Sequence, residues 1–180
     1  TPSGQTTAIG PAAQMRRQGL HVSSAFGDLQ ITPSVVVRDE LTGVFDAIIL
    51  SCKAFDLDSA MEAIAPAVGE RSLIVPLLNG VRHIDTLVAR FGREHVVGGV
   101  ALISAGLEAD GGIRHLNKLH GLTIGALDGP PSPELESLSQ VLSGAGFDFV
   151  LSGDIAQAMW DKIVFLATLA GMEVFAWWAH

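Results

Sequence analysis

Sulfur and charge are both scarce in this 180-residue chain. A single cysteine, Cys52, builds no disulfide framework, and the setting expected is reducing and cytoplasmic. Six scattered histidines show neither an HExxH pair nor the paired Cys/His spacing that holds zinc, so no structural metal is expected. Only 17% of the residues are charged and they sum to -8, an acidic balance that argues against nucleic acid as a partner. The opening "TPSGQTT" lacks the basic start and apolar core of a signal peptide. A clean apolar run of roughly 18 to 20 residues is also lacking, because Asp161, Lys162 and Glu173 interrupt the C-terminal one; no membrane partner is expected.

What the chain has in quantity is apolar side chains, 48% of the total, arranged with changing period. "PAAQMRRQ" reads as a short helix stopped by Gly19, and "LHVSS" and "LQITP" read as strands flanking the turn "AFGD". Then "DAIILSCK", "SLIVPLLNG" and "HVVGGVALISA" are apolar strands separated by the helices "LDSAMEAIAPAV" and "HIDTLVARFG". Continuous apolar strands alternating with amphipathic helices imply an α/β fold, with a mostly parallel sheet covered on both faces. "GGIRHL" and "GLTIGAL" are two strand-like pieces close enough to pair locally. Ser132 before Pro133 starts a helix with Leu135, Leu138 and Leu142 on one face, ended by Gly144 or Gly146. "FDFVLS" is a last strand, and Asp154 can cap a final helix, so a domain boundary is placed near residues 152 to 154.

Ligands of open parallel sheets bind beyond the carboxyl ends of the strands. Two polar residues follow such ends directly: Lys53 after "AIILSC" and Asn79 after "LIVPLL". A lysine there can meet a phosphate or ribose, and an asparagine can donate and accept; alternatively Lys53 is solvated and Asn79 forms a turn with Gly80. Asp56 and Asp58 fit helix-cap and first-turn roles better than catalysis, and Cys52 packs as a small hydrophobe. Lys162 is the anomaly. Asp154, Gln157, Asp161 and Thr168 form a polar stripe on the last helix, and Lys162 lies about 100 degrees off it, beside Ala158, Met159, Phe165 and Leu166. It either snorkels to water or stands in a cleft as a proton donor with a lowered pKa.

The segments "DAIILSCKAFDLDSAMEAIAP", "VPLLNGV", "VVGGVALISAGLEADGGIRHL", "TIGAL" and "GAGFDFVLSGDIAQAMWDKIVFLATLAG" occur in this order from about residue 20 to 171. Together they resemble the ketopantoate reductase (2-dehydropantoate 2-reductase) family. The resemblance implies an NADPH-dependent reduction of a 2-oxo acid, by a Rossmann-type domain and a helical domain with the active site between them. It implies that Lys53, Asn79 and, through its backbone, Ala105 contact NADP, that Asn79 also meets substrate, and that Lys162 protonates the carbonyl oxygen. Residues 1–153 are then a partial dinucleotide-binding domain, and 154–180 the first helix of the helical domain.

Three departures qualify the match. Gly4 and Gly10 in "SGQTTAIGP" follow no strand, so the G-x-G-x-x-G turn and first Rossmann strand are expected to be missing, and no basic residue for a 2'-phosphate stands out. Leu166 and Ala170 stand where the ketopantoate enzymes place asparagines after the lysine, which opens the choice of 2-oxo acid. The helical domain is expected to continue past residue 180, leaving Trp177 and Trp178 without their usual cover. Weak dinucleotide binding and little turnover are therefore expected of this chain by itself. The rival readings are a non-catalytic relative that dimerises through its apolar last helix, and another two-domain hydroxy-acid dehydrogenase, which "NGV" and "W-x-K" disfavour.

Overall fold

The computed structural model describes residues 7–8 and 12–178, with side chains described over 15–171. Gly4, Gly10 and the side chains of Trp177 and Trp178 lie outside that set. The chain forms two compact units. Residues 1–43 and 102–120 make the first, and residues 44–101 and 121–180 the second.

In the first unit β1 (Thr7–Ala8) runs parallel to β4 (Ser34–Val35), and α1 spans Ala12–Gln18. Gly19 ends α1 by donating its N–H to the Met15 carbonyl at 2.9 Å. The next strands, β2 (Leu20–Ser23) and β3 (Leu29–Ile31), pair antiparallel around the expected turn.

The second unit carries the alternating pattern: β5 (Ala47–Leu50), α2 (Leu57–Ile64), β6 (Leu73–Pro76), α3 (Arg82–Phe91) and the start of β7 (Val97–Leu107). β5 and β6 are parallel, from Ala47 opposite Leu73 to Leu50 opposite Pro76, and an isolated parallel bridge joins Ile74 to Val96. All four residues of β6 are buried. Ile74 packs with Leu50, Met61 and Leu87 on one face, while Leu73 and Val75 pack with Val97, Ile124 and Leu135 on the other. A strand apolar at every position is thus explained by cover on both faces.

Two expectations change here. β8 is one strand, Ile113–Ala126, and does not divide into two pieces pairing with each other. "NKLH" between those pieces holds no glycine or proline to force a turn, so the strand runs on. The sheet is also mixed, not mostly parallel. The strand order is β3-β2-β8-β7, and β9 (Asp148–Leu151) adds to β8 in parallel. β7 and β8 are joined by residues 108 to 112, where Glu108 donates its N–H to the Gly112 carbonyl at 2.8 Å; so short a link can only reverse the chain.

The last two helices are α4 (Pro133–Ser143) and α5 (Ile155–Trp178). Ser132 caps α4 by accepting the Leu135 N–H at 3.2 Å, and Asp154 caps α5 by accepting the Gln157 N–H at 3.0 Å. Ile155 and Met159 of α5 are buried against Val100 of β7. The approach requires glycine at 98, where a Cβ would lie 2.5 Å from Ile155 Cγ1. Among the described residues, no helix is long and apolar enough to cross a membrane.

Candidate active site

The parallel register of β5 and β6 aligns the two residues selected from the strand ends. Leu50 pairs with Pro76, and the Leu77 N–H donates to the Leu50 carbonyl at 2.7 Å; Lys53 and Asn79 each lie three residues beyond the paired positions. Both are exposed, and neither side chain has a hydrogen-bond or ion-pair partner among the described residues. Lys53 precedes the 3-10 turn Ala54–Asp56 that leads into α2. Asn79 is followed by Gly80 at φ +89, a left-handed conformation that an L side chain adopts at a cost, and then by α3. Two polar groups therefore stand free beyond the carboxyl ends of two paired parallel strands, the position at which α/β sheets gather ligands, and their chemistry suits the sugar and phosphate of a dinucleotide.

Asp56 occupies the cap position of α2 but its side chain makes no capping bond; instead its backbone carbonyl accepts from Ser59 Oγ at 3.0 Å. Asp58 lies in the first turn of α2, as its favourable position by the helix dipole suggests. Cys52 is partly buried against the core of α2 and α3, and that burial raises the pKa of its thiol.

Lys162 falls on the packed side of α5. Ile155 and Met159 are buried and Ala158, Ile163 and Leu166 half-buried, while Trp160, Asp161, Val164 and Phe165 are exposed. Lys162 is itself half-buried within the first set, and desolvation pulls its pKa below the ordinary lysine value. Asp161, one residue away, faces water and accepts from Gln157 Nε2 at 2.7 Å, so it does not neutralise the ammonium.

A residue the sequence reading passed over belongs beside Lys162. His83, in the first turn of α3, is 5% exposed, and its Nε2 is buried without a hydrogen-bond partner. Burial first, and the Lys162 charge second, lower its pKa, so the imidazole is neutral at pH 7. The signal was present: His83 stands one turn before Leu87 on the apolar stripe of α3, the one imidazole on a buried helix face among the described residues. Val81 and Ile84, on either side of it in the same turn, pack against Val100, Ile155 and Met159. The segment beginning at Asn79 thus leans on α5 just upstream of Lys162.

Ala105 is exposed in the outer part of β7 and belongs to the first unit, whereas Lys53, Asn79, His83 and Lys162 all belong to the second. A recess of about 450 Å³ in the first unit contains none of these residues, and its Arg114 is already paired with Glu108 at 2.8 Å.

An α/β fold with polar groups at its strand ends, followed by a helix bearing a desolvated lysine, places the chain in the class of α/β proteins that gather ligands at strand ends. Within that class the chain belongs to the ketopantoate reductase PanE/ApbA family, whose profile it matches over residues 6–129. It is 33% identical over 161 residues to the uncharacterized oxidoreductase YkpB of Bacillus subtilis, covering 89% of this chain and 53% of that protein. The structure of a 2-dehydropantoate 2-reductase from Methylococcus capsulatus superposes with a TM-score of 0.78 at 26% identity, covering 92% of this chain and 54% of that one. A D-mandelate dehydrogenase solved with NADH and anilino(oxo)acetate shares the fold, with a TM-score of 0.76 at 20% identity over 89% of this chain and 53% of that one. The chain spans about half the length of the relatives it matches.

Proposed function

We propose that this chain is the nucleotide-binding part, residues 1–153, and the first substrate-domain helix, residues 154–180, of an NADP-dependent reductase of a 2-oxo acid. The substrate is 2-dehydropantoate or a related 2-oxo acid. The observation that carries the reading is Lys162, a half-buried ammonium with a lowered pKa on the inner face of α5. A nicotinamide held by Lys53 and Asn79 would supply the hydride that the carbonyl carbon accepts. The C=O π pair moves to oxygen, where the Lys162 ammonium stabilises the growing charge and gives up a proton, leaving a hydroxyl and a neutral amine that solvent reprotonates. Lys53 and Asn79 bind and orient the cofactor at the strand ends, and Asn79 reaches the substrate as well.

Leu166, half-buried one turn beyond Lys162, and Ala170 offer no amide to a substrate, which favours a 2-oxo acid recognised by apolar contact near the lysine. In the enzyme carried to its relatives' full length, Lys162→Ala is expected to cut reduction of 2-oxo acids by roughly two orders of magnitude or more. An unchanged rate would return Lys162 to a structural role.

One observation favours the alternative, a non-catalytic relative that dimerises. Trp160, Val164, Phe165 and Leu169 are 54%, 63%, 51% and 45% exposed along one side of α5. Sedimentation of the 180-residue chain separates the two: a stable dimer that binds no nicotinamide cofactor would support the alternative.

A further inference from the structure

The His83 imidazole presents an unmet acceptor. A buried polar nitrogen without a partner costs free energy, and native proteins leave few of them. Its Nε2 is sealed from solvent and bonded to nothing among the described residues. The field of Lys162 reaches it, and the Lys162 ammonium carries three N–H donors that also find no acceptor among the described residues. Donor and acceptor are thus both unmet on helices that pack together, since Val81 and Ile84, flanking His83, pack against Ile155 and Met159 of α5. A lysine has four side-chain torsions, so Nζ can be re-aimed without moving the backbone. The ring is neutral there, because both burial and the lysine charge oppose its protonation, which leaves a lone pair on Nε2 when Nδ1 carries the hydrogen.

We propose that His83 is a positioning residue for Lys162, its neutral Nε2 accepting a hydrogen bond from the Lys162 ammonium and holding that group in place and charged. The inference rests on Lys162 being the proton donor. Desolvation alone drives a half-buried lysine toward the neutral amine, which has no proton of the required acidity to give. An acceptor aimed at the charged form works against that loss and also narrows the directions in which the remaining N–H bonds point.

The contact is testable in the 180-residue chain without cofactor or turnover. Lys53, Lys118 and Lys162 are its only lysines, so protein labelled with ¹³C at lysine Cε gives three resonances to titrate. In His83→Leu the Lys162 ammonium is expected to bind its proton about tenfold less tightly, the low end for a hydrogen bond to a charged group. His83→Gln, whose amide oxygen can accept, is expected to recover most of that loss, and Lys53 and Lys118 stay put in both. An unmoved Lys162 in a folded His83→Leu protein, or no recovery in His83→Gln, overturns the proposal. Should His83→Leu fail to fold, Lys162→Met reads the same bond from the other side. The ¹⁵N resonance of His83 Nε2 at pH 8 then shifts toward that of a free pyridine-type nitrogen, and an unchanged resonance overturns the proposal. The parent reading fails separately, through an unchanged reduction rate in Lys162→Ala.

Discussion

Lys162 and His83 show how burial selects chemistry from ordinary side chains. Both titrate away from their usual values because α5 and α3 take them out of water. The consequence for stability has a definite sign. The folded pKa of His83 lies below its unfolded value near 6.5, so as pH falls the unfolded chain takes up the proton first. His83 therefore opposes folding below about pH 6.5 and ceases to do so above it. Urea midpoints between pH 7.5 and 5 are expected to fall more steeply in the wild type than in His83→Gln; parallel curves would contradict the assignment. At this scale the sequence was informative about Lys162 and less so about His83. A helical wheel places Lys162 off the polar stripe, but the inner face is fixed only by Ile155 and Met159 packing on Val100. His83 looked like one of six scattered histidines until α3 acquired a core to face.

Elements were legible where composition leaves one option. β5, β6, α2, α3 and α4 fall within a few residues of their apolar patterns, and Ser132 and Asp154 cap the helices assigned to them. Strand direction was not legible in the same way. β7 and β8 carry the same apolar alternation whether they run parallel or antiparallel, and only the five-residue link and the pairing partners decide. The junction of α5 with β7 is tight, because Gly98 leaves no room for a methyl beside Ile155. Gly98→Ala is expected to destabilise the chain by roughly 1–3 kcal/mol, the usual cost of overpacking. The extra β propensity of alanine, worth less than about 1 kcal/mol, does not offset the clash. A melting temperature equal to the wild type's would show that α5 shifts freely, and would weaken the placement of Lys162 with it.

At the scale of the whole molecule, membership of the ketopantoate reductase family and a span of about half its relatives' length frame what the chain does. The residues proposed to hold the cofactor and donate the proton fall within the described region, while Gly4 and Gly10 lie outside it. The central claim is that this sheet holds a nicotinamide dinucleotide at the ends of β5 and β6. Titrating the folded chain with NADPH, and in parallel with NADH, while following nicotinamide fluorescence tests it most directly. Saturable binding of at least one of the two is expected, weakened several-fold by Lys53→Ala or Asn79→Ala, each loss corresponding to a hydrogen bond worth about 0.5–1.5 kcal/mol. Absence of saturable binding for either cofactor, in protein shown to be folded, would contradict the claim.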